Sequence, residues 1–122
     1  MRTVLIADDE PNLRLLVAAT IESDQLTVLE AGDGDEAWDL LQKHRPDLIL
    51  LDVQMPGRTG LEVARAIRAD PMLATTKIIM LTSKAQQADV AAGLAAGVDL
   101  YLTKPFSPIE LLTSVERILG SP

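Results

Sequence analysis

Short apolar runs bounded by polar residues recur five times along the chain: Val4 to Ala7, Leu26 to Glu30, Leu48 to Leu51, Lys77 to Leu81 and Leu100 to Thr103. Their length suits strands. The first, third and fourth are nearly continuous in apolar residues and do not alternate, which is the pattern of parallel strands covered on both faces. The segments between them carry helical spacing. Leu13, Leu16, Val17, Thr20 and Ile21 form one stripe, Ala37, Leu40 and Leu41 a second, Ala64 and Ile67 a third. Pro11 suits a first helical turn, Asp33 with Glu36 has the spacing of a capping box, and Ser107-Pro108-Ile109-Glu110 combines an N-cap, an N1 proline and an N3 glutamate. That last signal opens a helix with Leu111, Leu112, Val115, Ile118 and Leu119 on one side, ended by Gly120-Ser121-Pro122. A weaker helix, from Gln86 to Ala96, rests on Val90 and Leu94 among many alanines. Gly93 interrupts it at a cost of about 1 kcal/mol relative to alanine, so it is expected to be the most mobile.

Five strands alternating with five helices predict an α/β domain, a doubly wound parallel sheet with right-handed crossovers and helices on both faces. No repeat or low-complexity tract interrupts it. Residues 1–122 therefore read as one domain, with residues 119–122 suited to the start of a linker.

Eighteen acidic against eleven basic side chains give a net charge of −7, which opposes a phosphate backbone and argues against direct nucleic-acid binding. The chain has no cysteine, so disulfides, zinc thiolates and thiol nucleophiles are excluded, in keeping with a reducing compartment. His44 alone cannot build a histidine metal site. No apolar run approaches the ~18 residues needed to span a bilayer, and the first residues turn acidic at Asp8-Asp9, too soon for a signal peptide. A cytoplasmic location without a membrane partner is expected.

Ligands of doubly wound sheets bind at the carboxyl ends of the strands. Asp8 and Asp9 follow the first predicted strand, Asp52 the third, Thr82 and Ser83 the fourth, and Lys104-Pro105 the fifth. Singly, each has an ordinary explanation as a cap, a turn residue or a solvated charge. Together they bring three carboxylates, a hydroxyl and an ammonium to one sheet edge. Clustered carboxylates raise one another's pKa unless a cation neutralises them, and oxygen ligands without His or Cys favour magnesium, or manganese, over zinc. Magnesium suits a site that handles a phosphoryl group, with Lys104 and the Thr82 hydroxyl as phosphate-oxygen partners. A carboxylate is a competent nucleophile for forming an acyl phosphate.

Four segments, Ala7-Asp8-Asp9-Glu10-Pro11, Leu50-Leu51-Asp52-Val53-Gln54-Met55-Pro56-Gly57, Leu81-Thr82-Ser83 and Tyr101-Leu102-Thr103-Lys104-Pro105-Phe106, resemble the receiver domain of two-component response regulators. The resemblance runs from Thr3 to about Leu119. It implies the flavodoxin-like strand order 2-1-3-4-5, which is a property of the family. It also implies that Asp52 accepts a phosphoryl group from the phosphohistidine of a sensor histidine kinase or phosphotransfer protein. Asp9, Asp52 and the Gln54 backbone carbonyl would ligate Mg2+, Asp8 would assist through a bound water, and Lys104 would contact the phosphoryl oxygens. Pro105 would follow a cis peptide. Thr82 and Tyr101 would form the switch, and the fourth helix, fifth strand and fifth helix would carry the signal to a downstream output protein or domain.

Gln54 and Lys84 occupy positions that tune the phosphoryl lifetime in the family. Leu100 stands where dimerising DNA-binding members commonly carry an acidic residue, which weakens the case for their salt-bridged form of a phosphorylation-dependent dimer. Trp38 is expected to pack around the second helix. An aspartate-nucleophile phosphatase needs a second acid two residues after the nucleophile, and Gln54 stands there. A flavin carrier is opposed by Asp8-Asp9-Glu10. The remaining rival is a non-phosphorylated protein-interaction domain of the same fold, against which stands the full set of site residues.

Overall fold

The structure, a computed structural model, describes residues 2–83 and 96–120. The strands are β1 (Arg2–Ala7), β2 (Leu26–Ala31), β3 (Leu48–Asp52), β4 (Lys77–Ser83) and β5 (Leu100–Lys104). All pair in parallel, in the order β2-β1-β3-β4-β5. The described helices are α1 (Pro11–Ile21), α2 (Gly34–His44), α3 (Gly60–Ala69) and α4 (Pro108–Leu119), with a 3-10 turn at Pro71–Leu73 that the hydrophobic pattern did not predict. The helix expected over Gln86 to Ala96 lies outside the described residues except for Ala96, which sits in a turn.

The continuous apolar runs are explained by two cores, one on each face of the sheet. Successive side chains of a strand point to opposite faces. Leu5, Ile49, Leu51, Ile78 and Met80 meet Ala37 and Leu41 of α2 and Val63, Ala64 and Ile67 of α3. Val4, Ile6, Leu48, Leu50, Ile79, Leu81 and Leu102 meet Val17 and Ile21 of α1 and Leu111 and Val115 of α4. A fully buried aliphatic side chain contributes roughly 1.5–3 kcal/mol, so this doubled burial is the main stabilising term. The predicted stripe of α1 is narrower in fact. Val17 and Ile21 set its buried direction, whereas Leu16, one residue round the helix from Val17, is 48% exposed.

Caps set where the helices begin. Ser107 and Glu110 form the predicted reciprocal box at α4, and Gly120 ends that helix at φ 80°. A second reciprocal box, Thr59 with Glu62, opens α3 and was not anticipated. The box expected at α2 is only half formed. Asp33 accepts from the Glu36 N–H, but the Glu36 carboxylate accepts from Gly32 N–H at 2.8 Å instead of from its own N-cap.

An arginine clamp anchors the return of the chain into β5. Arg68 at the end of α3 donates to the Gly97 carbonyl (2.9 Å), the Thr76 carbonyl (2.8 Å) and the Asp99 carboxylate (2.8 Å). The same Asp99 oxygen accepts from Ile78 N–H of β4 at 2.8 Å.

Candidate functional site

The alternation that divides the two cores also sorts the polar residues at the carboxyl edge. Counting on by twos from Val4 and Ile6, from Leu48 and Leu50, and from Leu100 and Leu102 leads to Asp8, Asp52 and Lys104. All three therefore project toward the α1/α4 side at the top of adjacent strands. Counting from Ile78 and Met80 leads to Thr82 on the other side, and Tyr101, paired in register with Met80, belongs there too.

Asp8 is fully buried and Asp52 nearly so, while Asp9 is exposed. Lys104 Nζ lies 2.8 Å from Asp8 Oδ2 and 3.1 Å from Asp52 Oδ2. The other oxygen of Asp8 accepts from Glu10 N–H at 2.9 Å, shaping the turn into α1, whose N-cap is Glu10 and whose N1 residue is Pro11. Asp52 Oδ1 faces Gln54 N–H at 3.4 Å. The Lys104–Pro105 peptide is cis.

Carboxylate oxygens of Asp8, Asp9 and Asp52 all lie within 4.8 Å of one another. Burial pushes the Asp52 carboxyl up to about 6; Lys104 pulls it down and the neighbouring charge of Asp8 pushes it up. Burial lowers the Lys104 ammonium, but the hydrogen bond it donates to Asp8 and the charges of Asp52 and Asp8 outweigh that, and its pKa is raised overall. Three acids against one lysine leave an excess of negative charge in a half-dry site. Hard oxygen donors without nitrogen or sulfur fit Mg2+ by donor chemistry. The strained acidity of Asp52 is what a divalent cation relieves.

Thr82 is buried at the end of β4, one residue beyond Leu81, the register partner of Asp52, and its hydroxyl donates to the Ser83 carbonyl at 3.2 Å. Tyr101 is half-buried against the α2/α3 core. The structure thus brings Asp8, Asp9, Asp52 and Lys104 into one cluster and sets Thr82 and Tyr101 beside it. Trp38 packs on the α2/α3 core as expected, with the Arg58 guanidinium 5.2 Å from its ring centroid.

Two features of the site were not read from the sequence. Gly60, the first residue of α3, lies so close beneath β3 that a Cβ there would come within 2.1 Å of the Asp52 carbonyl oxygen. Its N–H donates to the Val53 carbonyl at 2.8 Å, which closes the loop after Asp52. Arg14 reaches back from α1 to donate to the Asp8 carbonyl at 2.6 Å. The Thr59-x-x-Glu62 spacing was a signal for the first; nothing local signalled the second.

The family pattern of the response regulator receiver domain matches residues 4–116. The chain belongs to this family. The flavodoxin-like order of its sheet is that of a receiver domain, and two-component signalling is the setting of such domains. The receiver is 40% identical over 118 residues to the phosphate regulon transcriptional regulatory protein PhoB of Pseudomonas aeruginosa, covering 97% of this chain and 52% of that protein. It is 42% identical to the transcriptional regulatory protein ResD of Bacillus subtilis, covering 95% of this chain and 47% of that one. The chain thus spans about half the length of the curated relatives it matches.

Among solved structures, chemotaxis response regulator CheY4 of Vibrio cholerae superposes with a TM-score of 0.90 at 37% identity, covering 97% of the receiver and 98% of CheY4. The receiver domain of a sensor histidine kinase from P. aeruginosa, solved with a magnesium ion coordinated in its active site cleft, gives a TM-score of 0.87 at 33% identity, with 98% of each chain covered.

Proposed function

We propose that this receiver domain accepts a phosphoryl group on Asp52 from the phosphohistidine of a sensor histidine kinase or phosphotransfer protein. The observation that carries the reading is the placement of Asp52. It is buried beside Asp8 and Asp9, 3.1 Å from Lys104, with its carboxyl raised to about 6 chiefly by burial and further by the charge of Asp8. Asp9, Asp52 and the Gln54 carbonyl would hold Mg2+ directly and Asp8 through water; the bound ion supplies charge neutralisation for the carboxylate and the incoming phosphoryl oxygens. An Asp52 carboxylate oxygen forms the O–P bond as the P–N bond of the donor breaks, and the imidazole leaves with the electron pair. Lys104 holds a phosphoryl oxygen. Positioning and electrostatics do the catalysis, and the domain assists only its own phosphotransfer and hydrolysis.

Thr82 and Tyr101 would form the switch. Its hydroxyl exchanges the Ser83 carbonyl for a phosphoryl oxygen, a charge-assisted bond of roughly twice the strength, and the space it leaves lies on the face where Tyr101 packs. The signal passes to a downstream output protein or domain. The transcriptional regulators among the relatives favour output on gene expression through a further domain. A single domain over residues 1–122 and a cytoplasmic setting accompany this reading. Among the described residues, no helix is long and apolar enough to cross a membrane.

The test is intact mass after incubation with Mg2+ and acetyl phosphate. One phosphoryl adduct is expected for the wild type, and none for Asp52→Asn or after chelation. Folded wild type that forms no adduct and does not bind beryllofluoride would refute the reading and leave a constitutive interaction domain.

A further inference from the structure

The aim of Asp9 is not set by its own side chain. Among the described residues, no hydrogen bond or ion pair holds that carboxylate, which is exposed, although it is one of the three acids of the cluster. Its direction depends on the backbone before it, and above all on the Asp8–Asp9 peptide plane. Asp8 N–H donates to the Ala31 carbonyl of β2 at 3.1 Å, Asp8 Oδ1 accepts from Glu10 and Oδ2 from Lys104. The Asp8 carbonyl is the oxygen of the peptide that leads into Asp9, and Arg14 Nη1 donates to it at 2.6 Å.

Arg14 is itself held from two sides. Its Nε lies 3.3 Å from Glu30 Oε1 on β2, and its guanidinium lies over Gly32, where an added Cβ would already touch Nη1 at 3.4 Å. The guanidinium is planar, with a rigid fork of donors, so one nitrogen can face Glu30 while another faces Asp8. We propose that Arg14 is a positioning residue for the metal site: with Glu30 as its anchor, it fixes the Asp8–Asp9 peptide and so sets the direction of the Asp9 carboxylate. Mg2+ demands near-ideal octahedral geometry, so an error in one ligand's direction weakens binding steeply. The proposal rests on the metal reading of the aspartate cluster.

Isothermal titration of the folded protein with MgCl2 tests it, on wild type, Arg14→Met, Arg14→Lys, Glu30→Gln and Asp9→Asn, with urea unfolding in chelator run beside each. Loss of an outer partner typically weakens a metal site 10–100-fold. Arg14→Met is therefore expected to raise the Mg2+ dissociation constant about tenfold. Arg14→Lys, which retains one donor group, and Glu30→Gln, which frees the anchor, should fall between it and wild type.

A merely structural arginine would lower the urea midpoint and leave the Mg2+ constant of the folded protein unchanged. That result in Arg14→Met, or in Arg14→Lys and Glu30→Gln should the first fail to fold, overturns the proposal. If wild type and Asp9→Asn both bind no Mg2+, the metal reading itself falls, which is a separate and recognisable failure.

Discussion

Removing the charge of Asp52 should make the metal-free domain more stable at neutral pH. The free carboxyl ionises near 3.8, whereas in the fold it holds its proton to about 6, chiefly because it is buried. The raised value means that the folded state binds more protons between these limits. Stability is therefore complete below about pH 3.8, falls as the pH rises through 6, and stays reduced above it. At ~1.36 kcal/mol for each pH unit of that gap, ionising Asp52 in the fold costs about 3 kcal/mol at pH 7.5.

Asp52→Asn escapes this cost but weakens the charged hydrogen bond from Lys104, worth roughly 1.5 kcal/mol. A net gain of about 1–2 kcal/mol remains. Urea unfolding in chelator at pH 7.5 and pH 5 reads it directly. The variant should be the more stable at pH 7.5, and its advantage should shrink by roughly half the ionisation cost at pH 5. Mg2+ at a hundred times its dissociation constant should add about 2.7 kcal/mol to wild type and far less to the variant. A wild type more stable than Asp52→Asn at pH 7.5, or a difference independent of pH, would refute the reasoning.

Lys104→Met removes the cation that pulls Asp52 down, so the Asp52 carboxyl should rise above 6 and metal-free stability should fall more steeply with pH than in wild type, as seen by urea midpoints from pH 5 to 8. Gly60→Ala forces the first turn of α3 away from the Asp52 carbonyl; an overpacking loss of about 1–3 kcal/mol and a slower gain of the phosphoryl mass adduct are expected. Thr59→Ala breaks the capping box of α3 and should cost about 1 kcal/mol in urea unfolding, with the Mg2+ constant unchanged.

The parts of the fold legible in the sequence are those governed by strand period and by chain-local signals. Asp8, Asp52 and Lys104 could be placed together because each ends a strand and the strands are parallel. Burial of both sheet faces was written in the unbroken runs around Leu50 and Ile79. Leu16 was misread because a wide apolar stripe does not say which edge the sheet will cover. Glu36 was assigned to a reciprocal cap because spacing cannot show that the Gly32 N–H lies nearer. Arg14 was silent for a deeper reason: its partner Glu30 is distant in sequence and reaches it only once β2 pairs with β1. Thr82 shares the carboxyl edge with the acids, and the pleat of β4 sets it on the side of the sheet where Tyr101 packs.

The Arg68 clamp makes the end of α3 a splice point for the far edge of the sheet. One guanidinium gathers the Thr76 carbonyl ahead of β4 with the Gly97 carbonyl and the Asp99 carboxylate ahead of β5, and Asp99 in turn holds the Ile78 N–H of β4. The strand that carries Lys104 is thus moored at its amino end, at the edge of the sheet opposite the aspartate cluster, which leaves its working end clear of that duty.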